Sequence, residues 1–105
     1  MLLSEYQKQA ETFHAFKSPM YPYFALAEET GEFLGKIAKA HRGDSTLSQP
    51  ELDTALQKEL GDVLWNVAAI ASVHGWSLDK IAEINLQKLT DRKSRGVIKG
   101  TGDER

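Results

Sequence analysis

The sequence predicts an all-α protein, a four-helix bundle-like protomer that assembles into a homo-oligomer. Apolar residues recur at helical spacing over most of the chain, and caps and breakers divide it into four such stretches. No stretch reads convincingly as a strand. At 105 residues the chain is one domain with a modest core, so a complete active site is expected to need a neighbouring subunit.

Helix one starts at Ser4-Glu5-Tyr6-Gln7, which has the form of a capping box, and runs to about Phe16 with Tyr6, Ala10, Phe13 and Phe16 apolar. The segment from Lys17 to Pro22 breaks it, since each proline disfavours helix in the residue before it. Helix two runs from about Tyr23 to Ala40, with Leu26, Phe33, Leu34, Ile37 and Ala38 at helical spacing. Ser48-Gln49-Pro50-Glu51 then opens helix three with a serine cap, an early proline and an acid in the first turn. Its stripe is Leu52, Leu56, Leu60, Val63, Val67 and Ile70, and Gly75 ends it. This long helix is the expected spine of the fold. Ser77 caps helix four, from about Leu78 to Arg92, whose apolar face is Leu78, Ile81, Ala82, Leu86 and Leu89. The expected organisation is residues 1–22 as N-terminal helix and loop, 23–93 as helical core, and 94–105 as a glycine-rich tail, flexible until something ties it down.

A hydrophobic fraction of 41% with 27% charged residues excludes the disordered class. Without cysteine there is no disulfide framework, thiolate metal site or thiol nucleophile, so oxygen and nitrogen carry any chemistry. The longest apolar run, Val63 to Val73, is too short to span a membrane, and the N-terminus lacks the form of a signal peptide. The expected location is cytoplasmic, with no membrane partner. A net charge of -2 argues against a nucleic-acid partner. It also hides an asymmetry, because Lys88, Arg92, Lys93, Arg95 and Lys99 crowd the C-terminal part while acids dominate the middle. An acidic centre facing a basic arm suggests a metal-bound polyphosphate.

Those acids form two clusters, Glu28-Glu29-Thr30-Gly31-Glu32 and Glu59-Leu60-Gly61-Asp62. Carboxylates three apart share a helix face and repel unless something compensates them. The first cluster taken alone reads as a solvated acidic face with Lys36 and Lys39 nearby. The second shifts that balance, because Glu59 lies between Leu56 and Val63 in angle, at the edge of the apolar stripe, where unpaired acids are rare. Asp62, Asn66 and Ala69 continue the edge as a seam that could face helix two. Gly31 and Gly61 each cost about 1 kcal/mol relative to alanine inside a helix, a cost tolerated where helices approach closely. A pocket of four carboxylates calls for a hard divalent cation, and Mg²⁺ fits, with Mn²⁺ as a possible substitute. Asn85, Lys88 and Arg92 share a face of helix four and suit phosphate oxygens. Trp65, Trp76, Phe13 and Phe16 are core candidates that could also stack on a base. Glu11 and His14 make one Glu-x-x-His pair where a di-iron bundle needs two.

Glu28-Glu29-x-x-Glu32, then Glu59-x-x-Asp62, then Asn85-x-x-Lys88 resembles the all-α nucleoside triphosphate pyrophosphohydrolases of the MazG type. The resemblance extends to Gly75-Trp76-Ser77-Leu78 and to the Lys99-Gly100-Thr101-Gly102-Asp103 tail. It implies Mg²⁺-dependent hydrolysis of a nucleoside triphosphate to the monophosphate and pyrophosphate, in a homodimer or homotetramer, serving nucleotide-pool cleansing or control. Motif matching puts Glu29, Glu32, Glu59 and Asp62 at metal-ligand positions, with Glu28 as a nearby second acid. Asn85 and Lys88 fall near the phosphates, and Phe13-His14 resembles a base-proximal segment. Glu28 or Glu32 would orient or deprotonate the attacking water, and Lys88 with Arg92 would stabilise the leaving pyrophosphate. His14 and Trp65 complete the expected substrate-binding set. The competing reading is a non-catalytic helical interaction module that uses the acidic seam as a binding face.

Overall fold

The computed structural model describes residues 1–105 as four helices, α1 (Leu3–Glu11), α2 (Tyr21–Arg42), α3 (Gln49–His74) and α4 (Leu78–Ser94), with no strand. The most extensive packing is between α2 and α3. The short α1 lies on α3, and α4 packs on α1 rather than along α2 or α3.

Helix boundaries follow local chemistry, with two departures in α1. Leu2, not Ser4, is the N-cap, because the Glu5 carboxylate reaches back to accept from the Leu2 N–H at 3.3 Å. The helix also stops at Glu11 instead of continuing to Phe16. The N–H groups of Thr12, Phe13 and His14 turn to the carbonyls three residues back, and the Thr12 hydroxyl donates to Gln9 O at 2.7 Å. A threonine followed by Phe13 and His14 has little helix propensity with which to resist this tightening. The Trp65 indole N–H, 3.4 Å from Ala10 O, shares that carbonyl with the Phe13 N–H.

Helix α2 starts at Tyr21, two residues before the expected Tyr23, because Pro22 in the first turn gives up an N–H that had no helical partner anyway. Pro22 is fully buried there. At the start of α3 the expected reciprocal cap is present: Ser48 Oγ accepts from Glu51 N at 3.3 Å, and Glu51 Oε1 accepts from Ser48 N at 3.0 Å. Over 26 residues α3 extends about 39 Å. It ends at Gly75, whose φ of +72° a side chain would strain.

Buried Gln7 fixes the corner between α3 and α4. Its amide nitrogen donates to Trp76 O at 2.8 Å and Ser72 Oγ at 3.2 Å, and its oxygen accepts from Leu78 N at 2.8 Å. The core beside it is small and alanine-rich, made of Ala10, Ala68, Ala71 and Leu78 with Tyr6 and Val67 against it.

The predicted apolar stripes are therefore only partly covered. On α4 only Leu78 of the expected face is buried, while Leu86 and Leu89 are exposed; on α3, Leu60 is exposed. The radius of gyration is 16.8 Å, against about 13 Å for a compact domain of this length. The accessible surface is 7827 Å², where a folded monomer of this mass exposes about 5,900 Å². A single copy of the chain leaves its apolar faces without a partner. No helix is long and apolar enough to cross a membrane.

Candidate metal centre and adjoining cavity

The α2–α3 interface brings the two acidic clusters together. Glu29 from α2 meets Glu59 and Asp62 from α3, with one carboxylate oxygen of each within 4.8 Å of the others. Glu28, Glu29 and Glu32 form a second group under the same limit, so Glu29 belongs to both. The expected four-acid pocket is thus two overlapping triads, with Glu32 beside Glu28 and Glu29.

The inner triad is the more enclosed. Glu59 has 16% of its side chain exposed, and Oε2 of both Glu29 and Glu59 is buried without a hydrogen-bond partner. Buried carboxylate oxygens are costly unless satisfied. Lys36, one helical turn beyond Glu32, offsets part of the charge with its ammonium 3.5 Å from Glu59 Oε1. Burial pushes the Glu29 carboxyl up to about 7, and the neighbouring charges of Glu32 and Asp62, a hydrogen bond with Glu32 and the charge of Glu59 push the same way. The unpartnered oxygens and the shared charge fit a hard, oxygen-ligated divalent cation held by Glu29, Glu59 and Asp62.

The helix glycines have another explanation than the one expected. A Cβ placed on Gly31 or Gly61 would meet nothing within 4 Å, so neither lets α2 and α3 approach. Gly61 instead lines a cavity of about 580 Å³ beside Asp62, walled by Tyr6, Ala10 and Phe13 from the α1 region and by Trp65 from α3. A second cavity of about 530 Å³ shares Phe13 and Trp65 and adds Phe16 and Tyr21. His14 lines neither cavity but packs behind their shared aromatic wall, its ring 5.1 Å from that of Phe16 and 6.3 Å from that of Trp65, and its Nε2 is buried without a partner. Sequence reasoning missed Tyr6 as a site residue, taking it as plain core. Burial and then the charge of Asp62 raise its phenol above the ordinary value. Only the fold shows that Tyr6 and Asp62 share a wall.

The basic residues of α4 lie elsewhere within one protomer. Asn85 and Lys88 line a separate cavity of about 370 Å³ with Leu3, Leu64, Ile81 and Ile84, and no acid of either triad borders it. Arg92 is buried, with 5% exposure, beneath the C-terminal segment. The tail is tied down: Arg92 Nη2 donates to Asp103 O at 2.8 Å, and Arg105 Nε donates to Val97 O at 3.0 Å.

Comparison with known proteins agrees with this geometry. The sequence model of the MazG nucleotide pyrophosphohydrolase domain matches residues 20–97, which include both triads. The gene 37 protein of Mycobacterium phage L5 is 43% identical over 86 residues, covering 81% of this chain and 75% of that protein. The uncharacterized protein YvdC of Bacillus subtilis (strain 168) is 33% identical over 72 residues, 64% of this chain and 68% of that one. In three dimensions the chain is similar to iMazG from Vibrio DAT 722, with a TM-score of 0.65 and 32% identity, over 90% of this chain and 97% of that one. An all-helical chain whose acids converge between its two longest helices, inside the matched segment, belongs to the MazG nucleotide pyrophosphohydrolase domain family.

Proposed function

We propose that this protein is a Mg²⁺-dependent nucleoside triphosphate pyrophosphohydrolase that converts a (d)NTP and water to the (d)NMP and pyrophosphate. The observation that carries the reading is the inner triad, three carboxylates from two helices, two of them with an unpartnered buried oxygen, opening beside an aromatic-walled cavity through Asp62. Mg²⁺ bound there would supply charge neutralisation for the phosphates and acidify water. Glu29, Glu59 and Asp62 would hold it, with Glu32 reaching the same cation through the outer triad. Glu28 or Glu32 would orient the attacking water and accept its proton, as positioned carboxylates do. Tyr6, Phe13 and Trp65 offer flat apolar faces on which a nucleobase stacks, and His14 backs that wall through its contact with the Trp65 ring.

The functional unit in this reading is a homodimer or homotetramer. The surface in excess of a folded monomer is about 1,900 Å² per chain, of the order buried in obligate homodimers. Exposed Leu60, Ile84, Leu86 and Leu89 supply the apolar part. A second copy is also the route by which Asn85 and Lys88 would reach phosphates held at the triads, since within one chain they border a different cavity.

Pyrophosphate release, screened with Mg²⁺ over normal and modified ribo- and deoxynucleoside triphosphates, tests the activity. At least one substrate turns over, and Glu59→Gln abolishes that turnover while the helical circular dichroism stays unchanged. An inactive panel would favour the non-catalytic interaction module.

A further inference from the structure

The Asp103 carboxylate occupies the two α4 cations best suited to phosphate. Its Oδ1 accepts from Lys88 Nζ at 3.2 Å and from Arg92 Nη2 at 3.1 Å. Arg92 is built for more than this contact. Its side chain is 6% exposed, and Nη2 makes all three of its bonds to the tail, reaching Gly102 O, Asp103 O and Asp103 Oδ1. Its Nε is buried without a partner. The edge of a guanidinium formed by Nε and one Nη is a two-donor fork for planar or tetrahedral oxyanions, and here half of it is spare.

The occupant is also exchangeable. Asp103 has 79% of its side chain exposed, and it is carried by an irregular segment with positive φ at Gly100 and Gly102. That segment keeps its shape without Asp103, because the Arg105 guanidinium donates to Val97 O at 3.0 Å, Ile98 O at 3.0 Å and Gly102 O at 2.6 Å. The Asp103 carboxylate can therefore swing away without the loop unravelling.

We propose that Lys88 and Arg92 form a polyphosphate-binding site whose resident anion in the free protein is Asp103, and that the phosphates of a substrate or product displace it. This rests on the reading of the chain as acting on nucleoside triphosphates. A phosphate group carries more charge and more acceptor oxygens than a carboxylate, and it can use both Nε and Nη2 of Arg92. Asp103 thereby acts as a built-in competitor that keeps the buried guanidinium charge paired between substrates.

The test is calorimetric titration of the full chain with inorganic pyrophosphate, using wild type, Asp103→Asn, Lys88→Ala and the double variant. The amide of Asp103→Asn retains an acceptor for the tail contacts and removes only the competing charge. The expected result is about fivefold tighter binding by Asp103→Asn, the effect of deleting two partly exposed ion pairs, and loss of that gain in the double variant. Equal or weaker binding by Asp103→Asn, while Lys88→Ala still weakens the wild type, would overturn the competitor role and leave Lys88 as a phosphate ligand. Unchanged affinity in all three variants would overturn the site, while the pyrophosphate-release screen tests the reading beneath it separately. A purely structural tail anchor predicts a lower melting temperature for Asp103→Asn with no gain in affinity, which also counts against the proposal.

Discussion

Replacing Glu59 with glutamine separates the stability of the acidic centre from its use. The Glu59 carboxylate has Glu29 and Asp62 oxygens within 4.8 Å and the Lys36 ammonium at 3.5 Å. At an effective dielectric near 20, each like pair at that limit costs about 3.5 kcal/mol and the lysine offsets about 4.7 kcal/mol. Near pH 7 the Glu29 carboxyl, at about 7, is half protonated, so its share of the repulsion is halved and the sum for Glu59 falls within about 1 kcal/mol of zero. The substitution should then leave the metal-free melting temperature within about 5 °C of wild type. Mg²⁺ behaves differently. At ten times its dissociation constant it stabilises the wild type by about 1.4 kcal/mol, or about 6 °C for a chain of this size. Glu59→Gln removes a ligand from the inner triad and with it most of that shift. Thermal melts by circular dichroism, at one protein concentration with and without Mg²⁺, read both quantities. A full Mg²⁺ shift in the variant, or none in the wild type, would refute the assignment of Glu59 as a ligand.

The raised Glu29 carboxyl gives a pH dependence of definite sign. Its folded value of about 7 lies above the ordinary value of 4.5, so the folded chain retains a proton that the unfolded chain loses, and metal-free stability falls as pH rises through that window. Mg²⁺ competes with this proton, so the Mg²⁺-induced melting shift should grow between pH 6 and pH 8; a shift independent of pH would contradict it. Gly61→Ala should raise the melting temperature, since the Cβ meets nothing and alanine gains about 1 kcal/mol in a helix. The same methyl narrows the cavity beside Asp62 and should raise the KM for nucleotide, whereas a drop in melting temperature would show that another copy packs there. Light scattering should give at least twice the 11.7 kDa chain mass, and a monomer at micromolar concentration would overturn the assembly argument.

Local chemistry was legible in the sequence. Ser48 and Glu51 cap α3 as their spacing implies, Gly75 ends it, and Glu59 and Asp62, on the edge of the α3 stripe, meet Glu29 of α2. What depended on distant partners was not legible. The early end of α1 involves Trp65, more than fifty residues away, and Gln7 reads as an ordinary polar residue until its bonds to Ser72, Trp76 and Leu78 are seen. Arg92 and Lys88 share a helix face as expected, but periodicity cannot say that the tail returns to meet them. The stripes of α3 and α4 were legible as apolar, but which parts of them one chain covers was not, because that depends on α4 packing on α1 rather than along α2 or α3.

The family match begins at residue 20, after α1, yet Tyr6, Ala10 and Phe13 wall the cavity beside Asp62. In the proposed reading, phosphate chemistry lies wholly inside the matched segment, while base selection draws also on the α1 region, which the Gln7 amide and the Trp65 indole tie to it. On that reading selectivity is partly modular: a grafted or redesigned first helix would retarget the chain to a different nucleotide while leaving Glu29, Glu59 and Asp62 untouched.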